Sequence, residues 1–202
     1  MKKMLIVMCM IGVVASVAWA YPGPDSFGIY KDDEIVGYPE LCADVAAFTQ
    51  LVLYCCITQP TGYQVAAWEG QVEIVPPATS GDYFGAWTLV AGLNVGSGID
   101  YLVGIGDGPL TPNGQDVVVL MTMTLVVVNA TIPINYYIRG VPGSLDFPYG
   151  PGYAEDVGVA IPCVNNTGGP TEPVFIVNPT GGICTPVGNE DASWGAVKTL
   201  YK

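Results

Sequence analysis

The apolar segments of this chain are short, and they alternate with a period of two residues rather than 3.6. In residues 64–75, for example, Trp68 and Val72 fall on one side while Glu69 and Glu73 fall on the other. This alternation is typical of a β-strand with one buried face. Clusters containing many of the 26 glycines and 17 prolines separate these segments and predict turns between them.

Nine segments of this kind predict an all-β fold, an antiparallel β-sandwich of about nine strands. The expected strands are Ser26–Lys31, Phe48–Thr58, Gln64–Val75, Phe84–Val95, Ile99–Ile105, Val117–Val128, Thr131–Arg139, Tyr153–Ile161 and Val174–Val177. The fourth segment is expected to turn five side chains toward the core. They are Trp87, Leu89, Ala91, Leu93 and Val95.

The run VVVLMTMTLVVV at residues 117–128 is the most apolar part of the body of the chain. As a helix it would be only about 18 Å long, too short to cross a membrane. Valine and threonine branch at Cβ and favour strands. We therefore expect a central strand that is covered on both faces.

Residues 1–20 have the layout of a secretory signal peptide. Lys2 and Lys3 precede an apolar stretch from 4 to 17, and Ala18-Trp19-Ala20 forms a small-x-small cleavage site. The apolar stretch is shorter than the roughly 20 residues of a membrane-spanning helix. We therefore expect cleavage before Tyr21, export from the cell, and no membrane span afterwards.

The remaining chain divides into a β-sandwich domain at 21–187 and a C-terminal tail at 188–202. The full sequence has 18 acidic and six basic residues, a net charge of −12, and losing the two leader lysines takes it to −14. Such a surface repels phosphate backbones, so a nucleic-acid partner is not expected. The tail sequence EDASWGAVKTLYK predicts a short helix capped at Ser193, with Trp194, Val197 and Tyr201 on one side. These three side chains would serve either to dock a partner or to pack the tail on the domain.

Two stretches of sequence carry resemblances to known families. The strand pattern that includes VAAWEGQVEIV and VVVLMTMTLVVV, over roughly residues 45–140, resembles the cohesin-like and immunoglobulin-like sandwiches of secreted bacterial proteins. The Asp-Pro step that commonly follows the early strand in cohesins is absent, so dockerin binding is not implied. The ending SWGAVKTLYK resembles the Trp-Gly-x-Ile/Val-Lys-x-Leu-Tyr/Phe-basic ending of many secreted bacterial proteins, which implies export and a sorting or attachment role for the tail.

The residues that most enzymes use are scarce here. The chain has no histidine, which removes Ser-His and Cys-His catalysis and imidazole metal ligands. The GIGDGP segment at 104–109 contains Gly-x-Gly but lies between strands and opens no helix, so it predicts no nucleotide site. A glycosidase needs only two carboxylates, but 18 acidic residues make some pair inevitable. We therefore predict no catalytic residue and no cofactor.

Two acidic loops, KDDE at 31–34 and GDGPLTPNGQD at 106–116, are the candidates for calcium binding. Neither has the EF-hand spacing of alternating oxygen ligands. Solvated loops are the preferred interpretation, and no metal site is predicted.

Aromatic side chains in loops are the candidates for sugar binding. The sequence DFPYGPGY at 146–153 places Phe147, Tyr149 and Tyr153 in a loop rich in proline and glycine. Their rings would either stack on a sugar or anchor the loop on the core.

Cleavage of the leader leaves five cysteines in an oxidising compartment, so at least one stays unpaired. Cys55 and Cys56 are adjacent and must point to opposite faces of a strand. Cys55 shares its face with Leu51, Leu53 and Ile57, so we predict a buried free thiol there. Zinc and thioredoxin-like chemistry lack their CxxC motif.

The remaining cysteines suggest two disulfide bonds. A Cys163–Cys184 bond would close a loop around one strand and stabilise the fold by roughly 3 kcal/mol. Cys42–Cys56 is the second expected bond. If the strand begins at Phe48, Cys56 lies about 26 Å along it, whereas residues 43–47 return only about 17 Å. Cys42 with Cys163 or with Cys184 therefore stays open.

Taken together, these features predict a secreted, non-catalytic β-sandwich that serves as an extracellular structural or adhesive module. Its partner would be an extracellular protein or a glycan. The alternative is a carbohydrate-binding module that uses the aromatic residues of the 146–153 loop.

Overall fold

A computed structural model describes residues 23–33, 35, 39–106, 108–156 and 158–181. These residues contain fourteen β-strands and no helix, and nine of the strands have three or more residues. The strands are β1 (Ser26–Tyr30), β2 (Cys42–Ala43), β3 (Gln50–Thr58), β4 (Ala67–Val75), β5 (Tyr83–Phe84), β6 (Thr88–Leu89), β7 (Leu93–Asn94), β8 (Asp100–Gly104), β9 (Val117–Val127), β10 (Ile134–Arg139), β11 (Gly152–Asp156), β12 (Val159–Pro162), β13 (Val164–Asn165) and β14 (Phe175–Val177). The prediction of an all-β fold is confirmed. The predicted C-terminal helix lies outside the described residues.

The strands form two sheets. The first sheet has the order β13-β1-β3-β9, and β5 and β6 both pair with β9. The second sheet has the order β12-β11-β4-β10-β14-β2, with β8 paired to β4 and β7 paired to β8. All of these ladders are antiparallel except two short ones, β1 with β13 and β14 with β2.

One hydrophobic core lies between the sheets, so they form two layers. The first sheet contributes Leu53, Cys55 and Ile57 from β3, which are fully buried, as the alternation predicts. The second sheet contributes Trp68, whose ring meets that of Phe27 at 5.8 Å between centroids and an interplanar angle of 71°. This edge-to-face contact joins β4 of one layer to β1 of the other.

Strand β9 is central in the first sheet, as predicted, but only part of it is covered on both faces. It pairs with β3 along nearly its full length. Met121 and Leu125 are buried in the core, whereas Thr124 on the opposite face is exposed. The expectation that 117–128 is covered on both faces is therefore wrong for its second half, because none of the described elements packs over that end of the sheet.

Residues 84–95 do not form the single strand that the alternation predicts. They form the two-residue strands β5, β6 and β7. The first two pair with β9 of the first sheet, and the third pairs with β8 of the second sheet. Gly92, at φ +91°, lies at the crossing, where a Cβ would meet the backbone oxygen of Gly104 at 2.6 Å. Beyond it Leu93 and Val95 are 69% and 74% exposed, so the prediction that they face the core is wrong.

The predicted strand at 153–161 is a hairpin. Strands β11 and β12 pair with each other, and Gly158 lies in their connection at φ +86°. The apolar alternation continues through both strands, so the sequence pattern does not predict the turn between them.

A second, smaller hydrophobic cluster lies on the outer face of the first sheet. Tyr30, Cys56 and Val117 are buried there, and Ile35 and Leu41 pack against them. An ion pair between Lys31 and Glu40 holds the segment that carries Ile35 and Leu41 against the sheet. Within the part of the chain that the structure describes, the first sheet is therefore covered at this end and open at the other.

Candidate functional site

The three aromatic residues predicted to bind sugar lie in very different environments. Phe147 and Tyr153 are buried, whereas Tyr149 is 96% exposed. Two of the three rings therefore anchor the loop, and only Tyr149 offers a ring face to a ligand.

Tyr153 is held by its hydroxyl group. The hydroxyl donates a hydrogen bond to Asp25 Oδ1 at 2.8 Å and accepts one from the backbone N–H of Gly62 at 2.9 Å. Burial raises the pKa of this phenol, which keeps it protonated and able to donate. Asp25 also accepts hydrogen bonds from Thr61 N and Thr61 Oγ1. Tyr153 therefore fastens β11 to the turn that precedes β4, and it is not a sugar platform.

Phe147 packs on the outer face of the second sheet. Its backbone N–H donates to Ser144 Oγ at 2.9 Å, which fixes the turn that carries it. The ring occupies the space that a side chain at Gly152 would fill. Phe147 thus forms one wall of a groove on this face.

The groove has a volume of about 350 Å³, toward the lower end of the range for small-ligand sites. Its floor consists of small residues on adjacent strands, which leave room above the sheet. They are Ala67 on β4, Gly104 on β8, Ala154 on β11 and Ala160 on β12. Leu102, Val95 and Val159 line it together with Phe147.

The rim of the groove carries exposed apolar side chains. Val95 and Val159 line the groove and are exposed, and Leu93 is exposed two residues before Val95. Leu145 and Tyr149 are almost fully exposed in the loop that holds Phe147. A concentration of exposed apolar side chains around a concave site is typical of a binding surface.

Two carboxylates are the titratable groups of the lining, Glu69 and Asp146. Glu69 Oε1 is buried and has no hydrogen-bond partner within the described residues. The described lining residues include no hydroxyl, thiol or amine side chain. The groove can therefore hold an apolar group and accept hydrogen bonds from a neutral or cationic donor.

The two adjacent cysteines point into different environments. Cys55 is buried in the main core and Cys56 in the second cluster, and both carry free thiols. The prediction for Cys55 is confirmed. The predicted Cys42–Cys56 bond is wrong, because Cys42 lies on β2 of the second sheet while Cys56 faces outward from β3 of the first.

Cys163 is also a free, buried thiol, which rules out its predicted bond to Cys184 in this structure. Its side chain packs in the main core, and its backbone N–H donates to Pro151 O at 2.9 Å. Cys42 is disulfide-bonded, and none of the three free thiols takes part in that bond. Of the pairings left open by the sequence, Cys42–Cys163 is therefore excluded, and Cys184 lies outside the described residues.

We expect the three free thiols to resist alkylation in the folded protein. Burial raises the pKa of Cys55, Cys56 and Cys163, so the reactive thiolate is scarce at pH 8. Iodoacetamide should modify all three only after unfolding in urea, and Cys42 only after reduction. Peptide mass mapping measures this. Modification of any of the three thiols in the folded protein at pH 8 would contradict the structure.

No group of three or more His, Cys, Asp or Glu side chains that could hold a metal ion occurs within the described ranges. In the same ranges, no helix is long and apolar enough to cross a membrane. The predicted leader and cleavage site at 20/21 lie outside the described residues. So do the tail residues Trp194, Val197 and Tyr201.

The comparisons with known proteins give no relative. No protein-family model matches the chain, and neither a curated protein nor a solved structure does so.

The groove could not be predicted from the alternating pattern. Leu93 and Val95 continue an alternating pattern, so they looked like core residues. The available signal was Gly92, because a glycine within a strand pattern often marks a bend or a close backbone approach. The alternation correctly predicts that Glu69 faces outward, but the residues that line the groove with it, such as Leu102 and Val159, lie far from it in the sequence.

Proposed function

We propose that this chain is a secreted, non-catalytic adhesive module that holds an extracellular partner in the groove of its second sheet. The leader-like residues 1–20 support export, and the disulfide bond of Cys42 suits an oxidising compartment. The groove carries the proposal, because it combines a cavity of about 350 Å³ with a rim of exposed apolar side chains.

The lining suggests what the partner offers. An apolar side chain of the partner would rest on the small residues of the floor, against Phe147 and Leu102. A donor beside it would satisfy the buried oxygen of Glu69, which has no partner within the described residues. The net charge of −12 favours a partner that is basic around this point.

Replacing Val95 with serine tests the groove as a contact surface. Val95 is exposed, so the fold should survive while apolar contact with the partner is lost. We expect the fraction of protein retained by the envelope and matrix material of the exporting cells to fall, with affinity about tenfold lower. Val164→Ser is the matched control, because Val164 is an exposed valine on β13 of the first sheet. Equal retention of the two variants would refute the proposal.

Carbohydrate binding through Tyr149 is the second candidate, and the 96% exposure of this ring favours it. A glycan array and a screen for β-glycoside hydrolysis separate it from adhesion to a protein and from an acidic glycosidase. Saturable sugar binding that is abolished by Tyr149→Ala would replace the first proposal with this one. Hydrolysis of a β-glycoside that is lost in Glu69→Gln would replace both proposals with an acidic glycosidase.

A further inference from the structure

Phe48 occupies a backbone position that suits few residues. It is the third residue of the turn Ala46–Thr49, which is closed by a hydrogen bond from Thr49 N to Ala46 O at 3.2 Å. Its φ is +61°, in the region where turns favour glycine or asparagine. The ring is 79% exposed, so it gains little from packing. A bulky aromatic residue that is both strained and exposed indicates a use outside the fold.

A second exposed ring lies across the same strand end. Phe84 on β5 is 63% exposed and pairs with Val126 of β9. Phe48 precedes β3 on the other side of β9, where its N–H donates to Val127 O at 2.6 Å. Strands β3 and β5 are therefore two spacings apart, about 10 Å. The two exposed rings lie at the end of the first sheet that no described segment covers.

The side chains between and beside the two rings are uncharged. Cross-strand pairing places three rows on this outer face. The rows are Gln50, Val126 and Phe84; Val52 and Thr124; and Tyr54, Thr122 and Thr88. A face without charge is notable on a chain with a net charge of −12. We call these eight residues, together with Phe48, the Phe48–Phe84 face.

We propose that the Phe48–Phe84 face binds a chain of an uncharged polysaccharide. The faces of sugar rings are apolar and stack on aromatic rings, while their hydroxyl groups exchange hydrogen bonds with threonine and glutamine side chains. The separation of about 10 Å between β5, which carries Phe84, and β3, which Phe48 precedes, suits two contacts along one extended sugar chain. The face offers no cation to an anionic polymer and no carboxylate to a basic one.

A second copy of the chain fits this face less well. Stable protein interfaces use about 20–30 residues on each side. The face has nine residues, and four of them are purely apolar: Phe48, Val52, Phe84 and Val126. The surrounding protein is strongly acidic and repels a like-charged copy.

Affinity electrophoresis with soluble neutral polysaccharides, namely hydroxyethyl cellulose, glucomannan and xylan, tests the proposal. We expect at least one to retard the protein, and polygalacturonate, which is anionic, not to do so. Phe84→Ala and Phe48→Asn should each weaken the retardation about tenfold or more. Tyr63→Ala, which removes an exposed ring that belongs neither to this face nor to the groove lining, should leave it unchanged.

Thermal unfolding of Phe48→Asn separates binding from folding. Asparagine tolerates a positive φ, so the variant should lose binding while its melting temperature rises by about 2–4 °C. A fall in the melting temperature would show that Phe48 stabilises the fold and would overturn the proposal. It would also be overturned if none of the neutral polysaccharides retarded the protein, if Tyr149→Ala alone abolished retardation, or if Phe84→Ala abolished a concentration-dependent self-association. The proposal does not depend on the groove, so either can fail alone.

Discussion

Replacing Trp68 with alanine should lower the free energy of unfolding by about 3–5 kcal/mol. Trp68 is 2% exposed and lies between the two sheets. Its ring meets Phe27 of the first sheet edge-on and stacks on Tyr101 of β8 at 5.6 Å between centroids. No single neighbour can fill the volume that it leaves. Urea unfolding followed by far-UV circular dichroism measures the loss.

Trp87→Ala is the control for this substitution. Trp87 is only partly buried and touches the core through an edge contact with Tyr136 at 6.3 Å. Its removal should destabilise the protein clearly less than removal of Trp68. If the two variants lose equal stability, Trp68 does not hold the two layers together in the way described.

Gly28→Ala should destabilise the protein by about 3 kcal/mol, although it adds a single methyl group. Gly28 is buried within β1. A Cβ there would overlap the side chain of Asn166 and lie 2.7 Å from Tyr30 Oη. Asn166 cannot move away freely, because its Nδ2 donates to Val174 O at 3.2 Å and its side chain is buried. The melting temperature should fall by about 6–12 °C.

Gly104→Ala provides a matched control for this second prediction. Gly104 also lies within a strand, β8, but a Cβ there would have open space around it. Alanine should stabilise the protein slightly, by about 0.5–1 kcal/mol, because it restricts the unfolded chain. The same substitution is thus expected to lower the stability at Gly28 and to raise it at Gly104. Equal effects at both would show that packing around Gly28 is not as described.

The long strands could be predicted from the sequence because their alternation reports which face meets the core. In β3 the pattern correctly assigns Leu53, Cys55 and Ile57 to the core. It also shows that Cys56 turns the other way, although not that a separate cluster buries it there. Local alternation fixes a face, but it does not say what covers that face.

Segments that change partner could not be predicted in the same way. Residues 84–95 keep their alternation while the chain crosses from one sheet to the other. The pattern therefore gave Leu93 and Val95 a core position that the second sheet does not offer. The hairpin of β11 and β12 was missed for the same reason, since both strands continue one apolar pattern.

The candidate site depends on contacts between residues that are far apart in the sequence. The sequence predicts that the three rings of the 146–153 loop are alike, but the buried position of Tyr153 depends on Asp25 and Gly62. The strain at Phe48 likewise follows from how its turn meets β9. Neither relation has a local signature, so the sequence pattern does not distinguish the buried rings of Phe147 and Tyr153 from the exposed ring of Tyr149.

The most direct test of the proposed function is hydroxyl-radical footprinting of the protein alone and bound to the envelope and extracellular matrix of the cells that produce it. The exposed side chains of Leu93, Val95, Leu145 and Tyr149 are available for oxidation in the free protein. If the groove of the second sheet holds the partner, these side chains should become protected together while Val164 does not change. If they are oxidised equally in the free and bound protein, the groove is not the contact surface.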